Sequence, residues 1–199
     1  MENYTIASAA HIGHANLKVA NLGRALSFYR DVLGFQVRAK PRGGEMVVLG
    51  ASGSSLDLAL MALPGGSPPP ANSTGLDHLA LRYPSRRELA RAYQHLRECG
   101  IRLQEATDYG TNQSLYCSDP NGNGIELYWQ APLAEGQLPT QHEPLDLAHL
   151  TGLCLIHEKP LSPKQPMDHK VGRTDCKTRF GDQLRSFVSP TRGRSVERA

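Results

Sequence analysis

The chain has 199 residues, 39% hydrophobic and 6% aromatic, with 22 Lys/Arg against 19 Asp/Glu for a formal net charge of +3. That length accommodates one domain or two small ones, and the apolar share can fill a core in part of the chain but not all of it. No apolar run approaches the roughly 20 residues that cross a bilayer, and the opening MENYTIASAAHIGH has neither the basic nor the apolar region of a secretory leader.

Residues 11–20 alternate towards a strand that ends in LKVA. Asn21 is placed to cap a helix, and Leu22, Ala25, Leu26, Tyr29, Val32 and Leu33 recur at helical spacing until Gly34 ends it. Three short strands follow, FQVRAK, EMVVLG and SLDLALM, with Gly43-Gly44 turning between the first two. The predicted order is strand, helix, strand, strand, strand.

Residues 63–75, LPGGSPPPANSTG, are a Pro/Gly/Ser-rich connector. After it the order repeats. LDHLALRYP opens with a strand, Ser85 and Glu88 form a capping box, and Leu89, Ala92, Tyr93 and Leu96 stripe a helix that stops at Gly100. RLQEATDYG, SLYCSD and GIELYW supply three more strands, with PNGNG as the last turn.

Beyond about Pro132 the periodicity fails, although LDLAHLTGLCLIHE has the makings of one short helix or strand. From Glu158 onward ten Lys/Arg stand against five Asp/Glu, which leaves residues 1–157 at −2. This end mixes signs, carries scattered prolines and lacks interleaved aromatics, so it reads as a disordered extension rather than a nucleic-acid or membrane surface. Cys99, Cys117, Cys154 and Cys176 show no CxxC spacing, which points to reduced thiols in a cytoplasmic protein.

His14 and His78 open the two copies 64 residues apart, and Glu126 lies in the closing strand of the second. Two imidazoles and a carboxylate, each within a strand pattern, form the ligand set of an open mononuclear metal site. Alternation puts His14 on one face with Asn16 and Lys18, His78 with Ala80 and Arg82, and Glu126 with Gly124 and Tyr128. Such mixed faces suit a cleft better than a sealed core.

Three stretches, GHANLKVANLGRALSFYRDVLGF, GLDHLALRY and SLYCSDPNGNGIELYW, resemble the vicinal oxygen chelate superfamily. That superfamily includes glyoxalase I, fosfomycin-resistance proteins, bleomycin-binding proteins and type I extradiol dioxygenases, and the last two stretches are most similar to its catechol 2,3-dioxygenase branch. The resemblance implies an α+β fold, with two βαβββ modules (about 8–63 and 75–131) forming a curled mixed sheet around a metal cleft. Residues 132–199 would then be a C-terminal extension, largely disordered from about 158. It further implies a divalent metal held by His14, His78 and Glu126, a small-molecule substrate, Tyr116 as a substrate-orienting hydrogen bonder, and a homodimer.

In that branch two histidines precede the Asp-Leu-Ala-Leu strand and another lies before the Tyr strand; here those positions are Ser55, Leu56 and Tyr109. Ring cleavage needs proton transfers, and neither Ser nor Leu titrates near neutrality. Tyr109 can donate a hydrogen bond but is a poor base. The expectation is therefore an Fe(II)- or Mn(II)-dependent, dioxygenase-like enzyme acting weakly on a catechol or another bidentate oxygen ligand. The alternatives are a glyoxalase I-like lyase or isomerase using Ni(II) or Zn(II), or an antibiotic-modifying or sequestering protein. Aligning LDLAL with IELYW makes Asp57 the extra carboxylate that the glyoxalase reading needs.

Overall fold

A computed structural model describes residues 4–51, 57–70, 72–132 and 142–155. The expected disorder from 158 onward, together with Ser55 and Leu56, lies outside those residues.

The first copy runs β1 (His14–Val19), α1 (Leu22–Ser27), β2 (Gln36–Ala39), β3 (Met46–Gly50) and β4 (Asp57–Ala62). Asn21 caps α1 by accepting from the Arg24 backbone N–H at 2.9 Å. The continuous helix that the periodicity predicts is interrupted: Phe28–Val32 form a π-helical turn in which Leu33 N–H reaches Phe28 C=O at 3.0 Å. The wider turn buries Phe28, Tyr29 and Val32 together, with the Phe28 and Tyr29 rings edge-on at 5.3 Å. Gly34, at φ +80°, ends this helical segment in the left-handed conformation that glycine alone adopts without strain.

The second copy runs β5 (His78–Tyr83), α2 (Arg86–Glu98), β6 (Glu105–Asp108), β7 (Asn112–Ser118) and β8 (Gly124–Gln130). Ser85 caps α2 through the Glu88 N–H, and Leu89, Ala90, Tyr93 and Leu96 form its buried face. Two further elements lie in the region where the sequence pattern fails. These are β9 (Glu143–Pro144), which no motif signals, and α3 (Leu147–Leu155), which contains the short apolar run.

The strands form two mixed sheets, ordered β1-β4-β3-β2 and β5-β8-β7-β6-β9. Each opening strand pairs in parallel with the closing strand of its copy, and the other pairs within each copy are antiparallel. The fold is thus α+β, and β9 adds a fifth strand to the second sheet. The core is shared: Tyr29, Phe28, Leu49, Leu58 and Leu60 of the first copy pack in one cluster with Leu89, Leu96, Leu115, Ile125 and Leu127 of the second. Leu150 of α3 joins it.

Cys117 is free and buried, but Cys99 is disulfide-bonded, which corrects the expectation of reduced thiols throughout. Sequence spacing missed this because the bond depends on Cα and Cβ proximity that only the fold sets. Among the described residues no helix is long and apolar enough to cross a membrane.

Candidate metal centre

The β5-β8-β7-β6 ladder sets the site. His78 stands opposite Gly124, Ala80 opposite Glu126, Glu126 opposite Tyr116, and Tyr116 opposite Glu105. Side chains alternate along each strand, so these residues share one face while Leu115, Cys117, Ile125 and Leu127 occupy the other, against the core. Gly124 permits the close approach of β8 to β5. A Cβ there would collide with the Asp77 carbonyl and lie 3.1 Å from the His78 Cβ.

On that face the polar groups form one chain. His78 Nδ1 donates to Asp77 Oδ2 at 2.7 Å, and its Nε2 lies 3.2 Å from Glu126 Oε2. Tyr116 donates its hydroxyl proton to Glu126 Oε1 at 2.8 Å, and the Tyr109 hydroxyl is 3.3 Å from that of Tyr116. Glu126 is 8% exposed, so its carboxylate depends on these partners rather than on water. Burial raises the Tyr116 phenol above its ordinary value, and hydrogen bonds to Tyr109 and Glu126 raise it further. Tyr116 is therefore a protonated donor and not a base.

A neutral imidazole that donates from Nδ1 presents a lone pair at Nε2. Here Nε2 lies 3.2 Å from a carboxylate oxygen, itself an acceptor. Two acceptors so placed are stabilised when a proton or a metal cation lies between them. Two ligand atoms about 2.1 Å from one cation at a right angle are about 3 Å apart, so the pair fits one edge of a coordination sphere. The carboxylate behind the imidazole is the usual outer partner of a metal-binding histidine.

His14 lies on β1 in the other sheet and is exposed. Among the described residues no hydrogen bond or ion pair is made by His14, and no group of three or more His, Cys, Asp or Glu is arranged to hold a metal ion. Its strand does border a cavity beside His78, one that His14, Glu126 and Tyr116 do not line. Asn16 and Lys18, on the His14 face, line this cavity of about 750 Å³ together with Asp77, His78, Asn123 and Gly124. Cavities of this size take small-molecule ligands.

The sheet register also revises how the two copies compare. Asp57 stands opposite His14, whereas Glu126 lies two residues beyond the partner of His78. The counterpart of Glu126 in the first copy is therefore Ala59, opposite Asn16, and Asp57 takes the position of Gly124.

The profile of the Glyoxalase/Bleomycin resistance protein/Dioxygenase superfamily matches residues 11–127, more than half of the chain. The chain belongs to that superfamily. It is 41% identical over 128 residues to a catechol-2,3-dioxygenase of Bacillus subtilis (strain 168), covering 64% of this chain and 44% of that one. To a biphenyl-2,3-diol 1,2-dioxygenase 3 of Rhodococcus globerulus it is 34% identical over 119 residues, covering 58% and 61%. The chain thus spans about half the length of these superfamily relatives. A solved glyoxalase/dioxygenase from Nostoc punctiforme shares the fold at a TM-score of 0.58 and 22% identity, covering 66% of this chain and all of that one. A lactoylglutathione lyase from Agrobacterium tumefaciens does so at 0.50 and 23%, covering 62% and 96%.

Of the residues singled out in the sequence, His78, Glu126, Tyr116 and Tyr109 are brought together in one hydrogen-bonded cluster, while His14 is not part of it. Two neighbours were missed. Asp77 directly precedes His78, and an acidic residue beside a strand-opening histidine was a usable signal. His142, whose ring packs 5.2 Å from that of Tyr109, comes from a segment with no motif at all.

Proposed function

We propose that the protein is a divalent-metal-dependent enzyme of the extradiol dioxygenase kind. Its proposed substrate is a catechol or another bidentate oxygen ligand, its metal Fe(II) or Mn(II), and its ligands His14, His78 and Glu126. The observation that carries this reading is the His78–Glu126 pair, with Asp77 behind the imidazole and Tyr116 on the far carboxylate oxygen. The names of the B. subtilis and R. globerulus relatives support an oxidoreductase.

When bound by His14, His78 and Glu126, a divalent metal would supply a Lewis acid for a bidentate oxygen ligand. The protein's own groups divide the remaining work. Asp77 fixes the His78 ring so that Nε2 faces the site. Tyr116 donates its one proton to Glu126 Oε1, which would leave Oε2 for the metal and the phenol oxygen as an acceptor beside the site. Tyr109 stands where the branch carries a histidine and serves as a hydrogen-bond donor only. Proton transfer to or from substrate is correspondingly weak.

The glyoxalase I-like alternative, with Ni(II) or Zn(II), requires a second carboxylate from the first copy. The register supports the one-carboxylate reading, because the position equivalent to Glu126 is occupied by Ala59. We further infer a homodimer, which sedimentation of the purified protein would check.

Metal analysis of protein purified without chelator, beside His14→Ala, tests the ligand set. A metal-bearing parent and a depleted variant are expected; full retention in the variant removes His14, and no metal in the parent removes the proposal. A screen of catechols, methylglyoxal–thiol adducts and fosfomycin against Fe(II)-, Mn(II)- and Ni(II)-loaded protein then identifies the substrate class. Ser55→His/Leu56→His should raise catechol turnover on the Fe(II) form about 10²–10⁴-fold with little change in metal affinity. If the double variant binds iron and a catechol but opens no ring, the glyoxalase-like reading leads. Asp57→Ala should then weaken Ni(II) or Zn(II) binding.

A further inference from the structure

We propose that His142 is a positioning residue for the tyrosine pair beside Glu126, so that the segment following the family-matched region completes the site. This rests on the reading of Glu126 as a ligand and Tyr116 as the group that orients substrate.

The family profile ends at residue 127, yet the chain returns to the second sheet afterwards. Glu143 and Pro144 pair antiparallel with Asp108 and Thr107 of β6, and Leu145 N–H donates to Ala106 C=O at 3.0 Å. Leu145 is buried in the core, which anchors the strand. His142 immediately precedes β9 and Tyr109 immediately follows β6, so the antiparallel pairing brings the two together. Their rings meet edge to face, with centroids 5.2 Å apart and planes at 68°. The same imidazole has its Nε2 3.9 Å from Glu105 Oε1.

The His142 side chain is 70% exposed, so it adds little to the core. Its effect is on Tyr109. The Tyr116 proton is committed to Glu126 Oε1, so the contact between the two phenols requires Tyr109 to donate and Tyr116 to accept. Donors in series polarise one another, and the Tyr109 bond strengthens the Tyr116 bond to the carboxylate. Tyr109 is half-buried at the tip of the β6–β7 connection, held there by its contact with Tyr116 and by the His142 ring. The His142 ring, packed at 68° to that of Tyr109, narrows the space in which Tyr109 can turn. Removing the ring should therefore loosen Tyr109, weaken the hold on Tyr116 and leave the sheet intact.

The test compares wild type, His142→Ala and His142→Phe in the full chain. Metal-free protein with isotope-labelled tyrosine Cζ is examined by NMR, the signals being assigned with Tyr109→Phe and Tyr116→Phe. His142→Ala should move both the Tyr109 and Tyr116 signals, and His142→Phe, which keeps an edge-on ring, should restore them. On Fe(II)-loaded protein, His142→Ala should bind nitrocatechol roughly threefold to tenfold more weakly, the scale of one lost aromatic contact, and His142→Phe should recover it. Unmoved tyrosine signals in His142→Ala overturn the proposal, as does a failure of His142→Phe to restore them. If wild type binds no nitrocatechol with any metal, the functional reading falls, while the metal-free spectra still decide the positioning role.

Discussion

Tyr29 donates its hydroxyl proton to Asp119 at 3.0 Å, joining the helical segment of the first copy to the last turn of the second. The same carboxylate accepts from the backbone N–H groups of Asn121 and Asn123 and from Asn123 Nδ2. Asp119 thus folds the β7–β8 turn and ties it across the molecule, while the preceding residues lead back to Tyr116. The DPNGNG motif is therefore structural, and it presents β8 to the site while its Asn123 and Gly124 border the cavity. Tyr29→Phe should cost about 1.5–3 kcal/mol, the range for a hydrogen bond to a charged group, read as a lower urea midpoint with an unchanged slope. Equal midpoints would show that this hydrogen bond does not help to join the two copies.

Gly124→Ala is expected to act on both stability and the site. The added methyl meets the Asp77 carbonyl and the His78 Cβ, both held by the β5–β8 ladder, so the strands must separate. Overpacking of this kind costs about 1–3 kcal/mol. A lower melting temperature without metal, together with weaker metal retention, is the expected pair of results; retained affinity at a lower melting temperature would detach the glycine from the site.

Asp77→Asn leaves the fold unchanged, because this side chain is 96% exposed and its charge is not buried. It does weaken the orientation of the His78 ring. Loss of such an outer carboxylate lowers metal affinity roughly 10–100-fold, measurable by competition with a chelating dye. An affinity within twofold of wild type would rule out a role for Asp77 in the centre.

Alkaline stability depends on buried acids of the second copy. Burial pushes the Cys117 thiol from 9.0 up to about 11, with Asp119 adding to the shift. The unfolded chain therefore releases this proton first, so the stabilisation is complete below pH 9.0 and is lost as the pH rises to about 11. Tyr83, which burial pushes up to about 12, extends the loss to higher pH. Cys117→Ala should flatten the lower part of that decline in chemical unfolding series, and an unchanged pH slope would refute the assignment.

The repeat of strand, helix and three strands was legible because each element carries its own local signal. Asn21 and Ser85 cap the helices, Gly34 and Gly100 end them, and strand alternation separates His78 and Glu126 from Leu79 and Leu127. The π-helical turn was not legible, since Phe28, Tyr29 and Val32 satisfy an ordinary helical stripe equally well and the extra residue per turn is decided by packing. Strand β9 escaped for a different reason: two residues carry no periodicity, and their place is set by the edge of β6. The comparison of the copies failed by two residues at Asp57, because LDLAL and IELYW look alike as hydrophobic patterns while the ladder pairs them differently. Local chemistry is written in sequence; register is settled between strands.

The strands that bear His14 and His78 lie at outer positions of separate sheets, β1 at one edge and β5 at the other. Among the described residues no ladder crosses between them, so the two halves of the cleft meet without shared backbone hydrogen bonds. They are held instead by the buried core, by Tyr29 on Asp119, and by the Ala20 N–H on Asn121 Oδ1. Where two sheets meet through side chains alone, their spacing is set by packing at the join rather than by backbone pairing.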